Sequence, residues 1–216
     1  MTIARALVAA PLLLLAYGVI RIIDGLDGVR GPGVAWTTGH LAFVLALALF
    51  IPIMWTMRRL AGAGRAATAA AVTGFAGIAA LTVQFGIDLV LGFLADDKAE
   101  MSAMARSIMD LPGVTPVVYT FGPMLFYVAQ VWLVVQLAVR RQVKVWTPVL
   151  VLTDMILPFV DKDLIPIGAI CLLISFVPLI RTLRAGETAG TATPGRTGNA
   201  ADTADRTGAA RPASVA

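Results

Sequence analysis

The chain has 216 residues, of which 58% are hydrophobic and only 14% are charged. A soluble domain carries about 25% charged residues, so this composition excludes an ordinary soluble domain and is typical of a protein built into a lipid bilayer. The net charge of +4 does not indicate a nucleic-acid partner, because the cations flank apolar runs without a basic aromatic surface. The single cysteine, Cys171, excludes an intrachain disulfide.

Six apolar runs follow one another along the chain, and each is flanked by charged residues. They cover about residues 6–23, 35–57, 67–95, 115–139, 145–160 and 164–180. Since about 20 apolar residues cross a bilayer, we predict an all-α, polytopic membrane bundle of about six transmembrane helices. We favour an uncleaved first helix over a signal peptide. The last two runs are short and contain four prolines, so a re-entrant hairpin over 145–180 is the alternative for that region.

The cations alternate from one connecting segment to the next. Nine Lys and Arg residues lie beside one set of run ends, and five lie beside the opposite set, where most of the acidic residues also lie. The positive-inside rule places the first set in the cytoplasm and predicts an N-in/C-in topology in a bacterial plasma membrane. The outer connection 96–113 has the spacing of a short amphipathic helix, with an ordinary loop as the alternative.

The composition changes after Arg184. Residues 185–216 contain no aromatic residue and consist mainly of Ala, Gly, Thr, Pro, Arg and Asp. Such a segment cannot bury enough apolar surface to offset the entropy lost on ordering. We therefore divide the chain into a transmembrane helical domain, 1–184, and a disordered cytoplasmic tail, 185–216.

Two acidic residues lie within the apolar runs, Asp88 in the third and Asp154 in the fifth. Ionisable groups are costly in hydrocarbon, and they therefore mark candidate functional sites. At 1.5 Å per residue, each lies roughly 10 Å below the outer surface. We predict that the two carboxyl groups face each other and act as catalytic groups together with His40. The alternatives are polar contacts between helices and, for Asp154, a shifted helix boundary.

Other polar and aromatic residues gather in the same outer half and are candidates for substrate binding. They are Gln84, Tyr119, Tyr127, Asp24, Asp27 and Trp36. One histidine and scattered aspartates lack the spacing of metal ligands, so we predict neither a metal site nor a cofactor.

The stretch RIIDGLDGVRGPGVAWTTGH, from Arg21 to His40, resembles a segment of small integral membrane proteins of high-GC bacteria. That resemblance covers about a tenth of the chain and implies a membrane bundle without implying an activity. In size and in its membrane-embedded acids the chain is also similar in architecture to small membrane-bound terpenoid cyclases. No catalytic assignment is carried over from them, because no motif matches residue by residue.

Three functions follow as expectations. The favoured one is a membrane-embedded enzyme in which a buried acid protonates a lipidic or isoprenoid substrate. The second is a non-catalytic subunit of a homo- or hetero-oligomer, whose partner would pack on the small residues Ala70, Gly74, Gly77 and Ala80. The third is a small proton- or ion-coupled transporter, against which the nearly pure hydrocarbon of the inner half counts.

Overall fold

The structure is a computed structural model that describes the backbone of residues 2–191 and the side chains of residues 2–184. It is all-helical over the described residues, which confirms the all-α part of the predicted fold class. The helices are α1 (Ile3–Asp24), α2 (Val34–Leu60), α3 (Arg65–Leu94), α4 (Lys98–Met109), α5 (Gly122–Val139), α6 (Trp146–Val160) and α7 (Ile165–Thr191). Of the predicted disordered tail, residues 192–216 lie outside the described part, and the backbone of 185–191 continues α7.

Five helical segments are long and apolar enough to cross a membrane. They are α1, α2, α3, the segment Thr115–Val139 that contains α5, and the segment Lys162–Arg184 that contains most of α7. The remaining apolar helix, α6, has 15 residues and is about 22 Å long, less than the roughly 30 Å of bilayer hydrocarbon. Because α7 is long enough to cross alone, the region 145–180 does not consist of two short half-helices.

Six helices form a closed ring in the order α1, α2, α3, α5, α6 and α7, with α7 packed back against α1. The closest approach of α1 to α7 is at Gly18, where a Cβ atom would lie 2.7 Å from Pro166. We call the end of the ring where α1, α3 and α6 terminate its upper end. Towards the lower end the centre is filled, with the Phe50 ring centroid 5.0 Å from that of Phe126 and 6.4 Å from that of Phe176.

Small residues let α3 and α5 pack closely. A Cβ atom on Gly77 would collide with the backbone nitrogen of Phe126, and one on Gly122 would collide with Ala80. A Cβ on Gly74 would likewise meet the side chains of Met54 and Ala129. The small-residue stripe, which we expected to bind a partner protein, is therefore used within this chain as the contact between its own helices.

The connection between α3 and α5 contains the amphipathic helix α4, so the helix and not the loop alternative is correct. Asp97 caps it by accepting a hydrogen bond of 2.9 Å from the Glu100 N–H, and Glu100 in turn accepts from the Asp96 N–H at 2.8 Å. Met101 of α4 packs with Leu91 at the upper end of α3. The apolar face of α4 is thereby fixed over the upper rim of the ring.

A π-helical segment, Thr115–Phe121, leads directly into α5. Its wide turns follow from Pro123, which has no N–H to donate to the carbonyl of Tyr119 and whose ring would crowd that carbonyl in an α-helix. The Gly122 N–H instead reaches back five residues to the Val117 carbonyl. The proline therefore widens the helix at the level of Tyr119.

We predict that Gly77→Ala lowers the free energy of unfolding by about 1–3 kcal/mol, because the added methyl group forces α3 and α5 apart. Gly86→Ala is the matched control in the same helix, since a Cβ there would meet nothing within 4 Å. That control should leave stability unchanged or raise it by about 0.4–1 kcal/mol. Unfolding titrations in mixed detergent micelles measure both, and equal effects of the two substitutions would contradict the close contact.

Candidate functional site

A cavity of about 250 Å³ lies inside the upper end of the ring. All six ring helices, with the 3₁₀ turn Lys162–Leu164 that precedes α7, contribute to its wall. From α1, α2 and α3, the polar and charged lining residues are Tyr17, Arg21, Trp36, His40, Gln84 and Asp88. From the other half of the ring, the lining includes Tyr119, Tyr127, Pro158, Phe159, Lys162 and Ile165.

The polar centre of the cavity is formed by Asp88 and His40. His40 Nε2 lies 3.8 Å from Asp88 Oδ2, and the His40 side chain is almost fully buried. His40 Nδ1 lies 2.7 Å from the backbone carbonyl of Trp36. Because a carbonyl only accepts hydrogen bonds, Nδ1 carries a ring proton, and Nε2 is the ring nitrogen that faces the carboxyl group.

Trp36 holds this pair in place from two sides. Its indole N–H donates a hydrogen bond of 2.9 Å to the backbone carbonyl of Asp88, and its ring lies 4.1 Å from the His40 ring, centroid to centroid. The indole fits against α3 because position 92 is glycine, where a Cβ atom would lie 2.5 Å from the Trp36 ring. One side chain therefore orients both members of the polar centre.

Aromatic rings surround the polar centre. Phe43 and Phe85 stack with centroids 3.9 Å apart, and the edge of Tyr17 contacts both of them at 5.0 and 5.5 Å. Tyr127 and Phe159 approach at 6.0 Å on the opposite wall. All three tyrosines and the one histidine of the chain lie in this cavity. The cavity wall is thus rich in π faces that surround the polar centre.

The mouth of the cavity is cationic. Arg21 and Lys162 both line it, and Lys162 is exposed. Beside them, Arg30 Nη2 donates to both carboxylate oxygens of Asp163 at 2.9 and 2.8 Å, which ties the α1–α2 loop to the α6–α7 connection. Arg21 Nε lies 3.4 Å from the same carboxylate, and it is buried without a hydrogen-bond partner among the described residues.

The structure brings six of the nine predicted site residues into one cavity, namely Asp88, His40, Gln84, Tyr119, Tyr127 and Trp36. Asp27 lies elsewhere, in a surface depression beside Asp96 and Asp97, whereas Asp24 borders both that depression and a small pocket that it shares with Arg21, Trp36 and His40.

Asp154 does not line the cavity, so the prediction that it faces Asp88 across a common space is wrong. It is buried against α7, where a Cβ on Gly168 would lie 2.8 Å from Asp154 Oδ1. Tyr127, which lines the cavity, lies within electrostatic range of Asp154.

Sequence reasoning missed several lining residues. Tyr17 and Arg21, four residues apart on one helix face, were available signals at the upper end of the first apolar run, as was Lys162 between the last two runs. We counted the two cations only as indicators of topology. Phe43 and Phe85 could not be recognised as lining residues from the sequence, because a phenylalanine in an apolar run can face either lipid or a cavity.

No family model matches the chain, and no curated protein and no solved structure matches it. Among the described residues, no group of three or more His, Cys, Asp or Glu side chains is placed to hold a metal ion. The chemistry available at this site is proton transfer by Asp88 and His40 within an apolar, aromatic enclosure.

We predict that Asp88 and His40 are energetically coupled and that Asp154 and His40 are not. In double-mutant cycles with Asp88→Asn, Asp154→Asn and His40→Phe, the first pair should deviate from additivity by at least about 0.5 kcal/mol, as contacting residues do. The effects of the second pair of substitutions on the unfolding free energy should be additive to within about 0.5 kcal/mol, as they are for separated sites. The unfolding free energies in detergent give both values, and equal coupling of the two acids to His40 would contradict the described geometry.

Proposed function

We propose that this chain is a membrane-embedded enzyme that uses Asp88 and His40 to protonate a lipidic or isoprenoid substrate. The observation that carries the proposal is the placement of this acid–imidazole pair inside an aromatic cavity within an apolar helix ring. Hydrocarbon surroundings disfavour the charged form of a carboxyl group, which favours Asp88 as the proton donor of the proposed reaction. Its donor role is the one predicted from the sequence for a membrane-buried acid.

The reaction class follows from the lining. Protonated Asp88 donates its proton to one carbon of an alkene, which leaves a carboxylate on Asp88 and a carbocation on the substrate. The π faces of Tyr17, Phe43 and Phe85 stabilise positive charge in the cavity. A neighbouring C–H bond then gives up its proton to the carboxylate, directly or through His40 Nε2, and a new double bond forms. The sum is a double-bond isomerisation, or a cyclisation where a second alkene of the substrate first attacks the carbocation to form a C–C bond, and neither consumes a co-reactant.

We predict that Asp88→Asn lowers turnover of isoprenoid alkenes at least about 10²-fold, because general acid catalysis contributes about 10²–10⁴-fold. Asp154→Asn is the matched control, a carboxyl-to-amide change at a buried acid outside the cavity, and it should keep most of the activity. Product formation from a panel of isoprenoid alkenes and epoxides, followed by mass spectrometry in reconstituted bilayers, measures the effect. Full activity of Asp88→Asn would remove the proposal.

For the topology we propose six crossings, with α6 as a short crossing helix, both termini in the cytoplasm and the upper end of the ring outside a bacterial plasma membrane. The support is the alternation of cations along the sequence. Lys and Arg are enriched at the lower helix ends, as Arg58, Arg59, Arg140 and Arg141 illustrate. The cavity then opens on the external side, where an amphiphile of the outer leaflet reaches it.

In a Cys171→Ser background, Leu26→Cys should react with a membrane-impermeant maleimide on intact cells, since Leu26 is 79% exposed in an upper loop. Gly64→Cys is the counterpart at the lower end, where a Cβ meets nothing within 4 Å. It should react only after the membrane is permeabilised. The opposite labelling pattern would reverse the proposed orientation.

A further inference from the structure

We propose that the ligand of the cavity is an amphiphile with an anionic phosphate head group, held at the mouth by Arg21 and Lys162, whose apolar chain enters the aromatic body. The inference rests on the proposed function in one respect, namely that Asp88 is protonated when substrate binds. It goes further by naming the chemistry of the head group, which protonation of an alkene does not require.

The donors at the mouth suit an oxygen-rich ligand. The nearby carboxylate of Asp163 accepts from Arg30 with both oxygens. Arg21 Nε lies 3.4 Å from the same carboxylate, which is therefore shared between two guanidinium groups, and the Arg21 side chain also lines the cavity. A guanidinium group carries five N–H donors, and an oxygen-rich anion at the mouth supplies further acceptors for them.

Lys162 adds a second cation from the opposite side of the mouth. Within the described part of the chain, its ammonium group forms neither a hydrogen bond nor an ion pair, and it lies within electrostatic range of Asp88. With Asp88 protonated, the cavity lining carries two cations and no anion. Two converging cations of this kind, one of them a guanidinium, suit the oxygens of a phosphate group.

The shape of the cavity supports an amphiphile over a free anion. Below the two cations the wall is formed mostly by aromatic and aliphatic side chains, and the polar centre of Asp88 and His40 lies at its side. The volume of about 250 Å³ is below the roughly 300–1,000 Å³ of typical ligand sites, so a long chain cannot be contained completely. Phe159, at the wall and 61% exposed, marks where the remainder of the chain meets the bilayer.

The test uses the full chain in nanodiscs of zwitterionic phosphatidylcholine, with radiolabelled geranyl phosphate as the probe. Geraniol, inorganic phosphate and added phosphatidylglycerol serve as competitors. We expect geranyl phosphate to bind at least about tenfold more tightly than geraniol, since a tenfold change is the effect of one good charge-assisted hydrogen bond. Inorganic phosphate alone should not displace it. Displacement by phosphatidylglycerol would support the same head-group chemistry with a bilayer phospholipid as its source.

Substitutions test whether Arg21 and Lys162 bind the head group. Arg21→Gln and Lys162→Gln should each weaken geranyl phosphate binding about tenfold and leave geraniol binding unchanged. Arg106→Gln, which removes an exposed cation on α4 outside the cavity, is the control and should have no effect. Because the Lys162 side chain forms neither a hydrogen bond nor an ion pair within the described part of the chain, Lys162→Gln remains informative if Arg21→Gln disturbs folding.

The outcomes separate this inference from the proposed function. Equal affinity for geraniol and geranyl phosphate, or unchanged binding in Lys162→Gln, would overturn the head-group assignment while leaving acid catalysis by Asp88 intact. Displacement by inorganic phosphate alone would overturn the inference that the ligand is an amphiphile. Conversely, Asp88→Asn should still bind geranyl phosphate while losing turnover, and full turnover in that variant with binding retained would count against the catalytic proposal alone.

Discussion

The close contact between α3 and α5 determines where the cavity lies. With no side chain at Gly77, the backbone of Phe126 comes against α3, and the Phe126 ring turns inward onto Phe50. The same approach fixes α5 in register, so that Tyr127, one residue further on, lines the space that Asp88 borders from α3. A bulky residue at position 77 would therefore disturb the packed lower centre and the open upper end together, because helices in a packed ring do not deform independently.

The ring also accounts for the uneven distribution of polar groups. In hydrocarbon each helix satisfies its own backbone, so the side chains alone decide what the centre of the ring contains. Near the upper end the centre contains an acid, an imidazole and a cationic mouth, and each is supported by a neighbour. Trp36 supports His40 and the Asp88 backbone, while Arg30 neutralises Asp163 beside Arg21. The polar cluster is built as a unit, which is unusual for residues that serve only to join two helices.

Counting residues along apolar runs placed Asp88 and His40 towards the same ends of their helices, because a helix rises by a fixed 1.5 Å per residue. The structure brings the two side chains to 3.8 Å of each other. Asp154 lies at a comparable depth from its helix end, yet it turns towards α7 because the bundle, and not its own run, decides which face of α6 is inward. Similarly, the small-residue stripe on α3 correctly predicted a close contact. That contact is made with helices of the same chain and not, as we expected, with a partner protein. Rotation about the helix axis is set by tertiary packing, which an apolar run without strong amphipathicity does not encode.

The packed lower half bears on the choice between the proposed chemistry and transport. A proton or ion pathway needs successive polar groups within hydrogen-bonding distance of one another. Below the cavity, Phe50, Phe126 and Phe176 pack together at the centre of the ring. Gln130, four residues further along α5 than Phe126, is fully buried, yet neither atom of its amide has a hydrogen-bond partner among the described residues. The described centre of the ring therefore favours the proposed reaction on a membrane-dissolved substrate over the transport alternative.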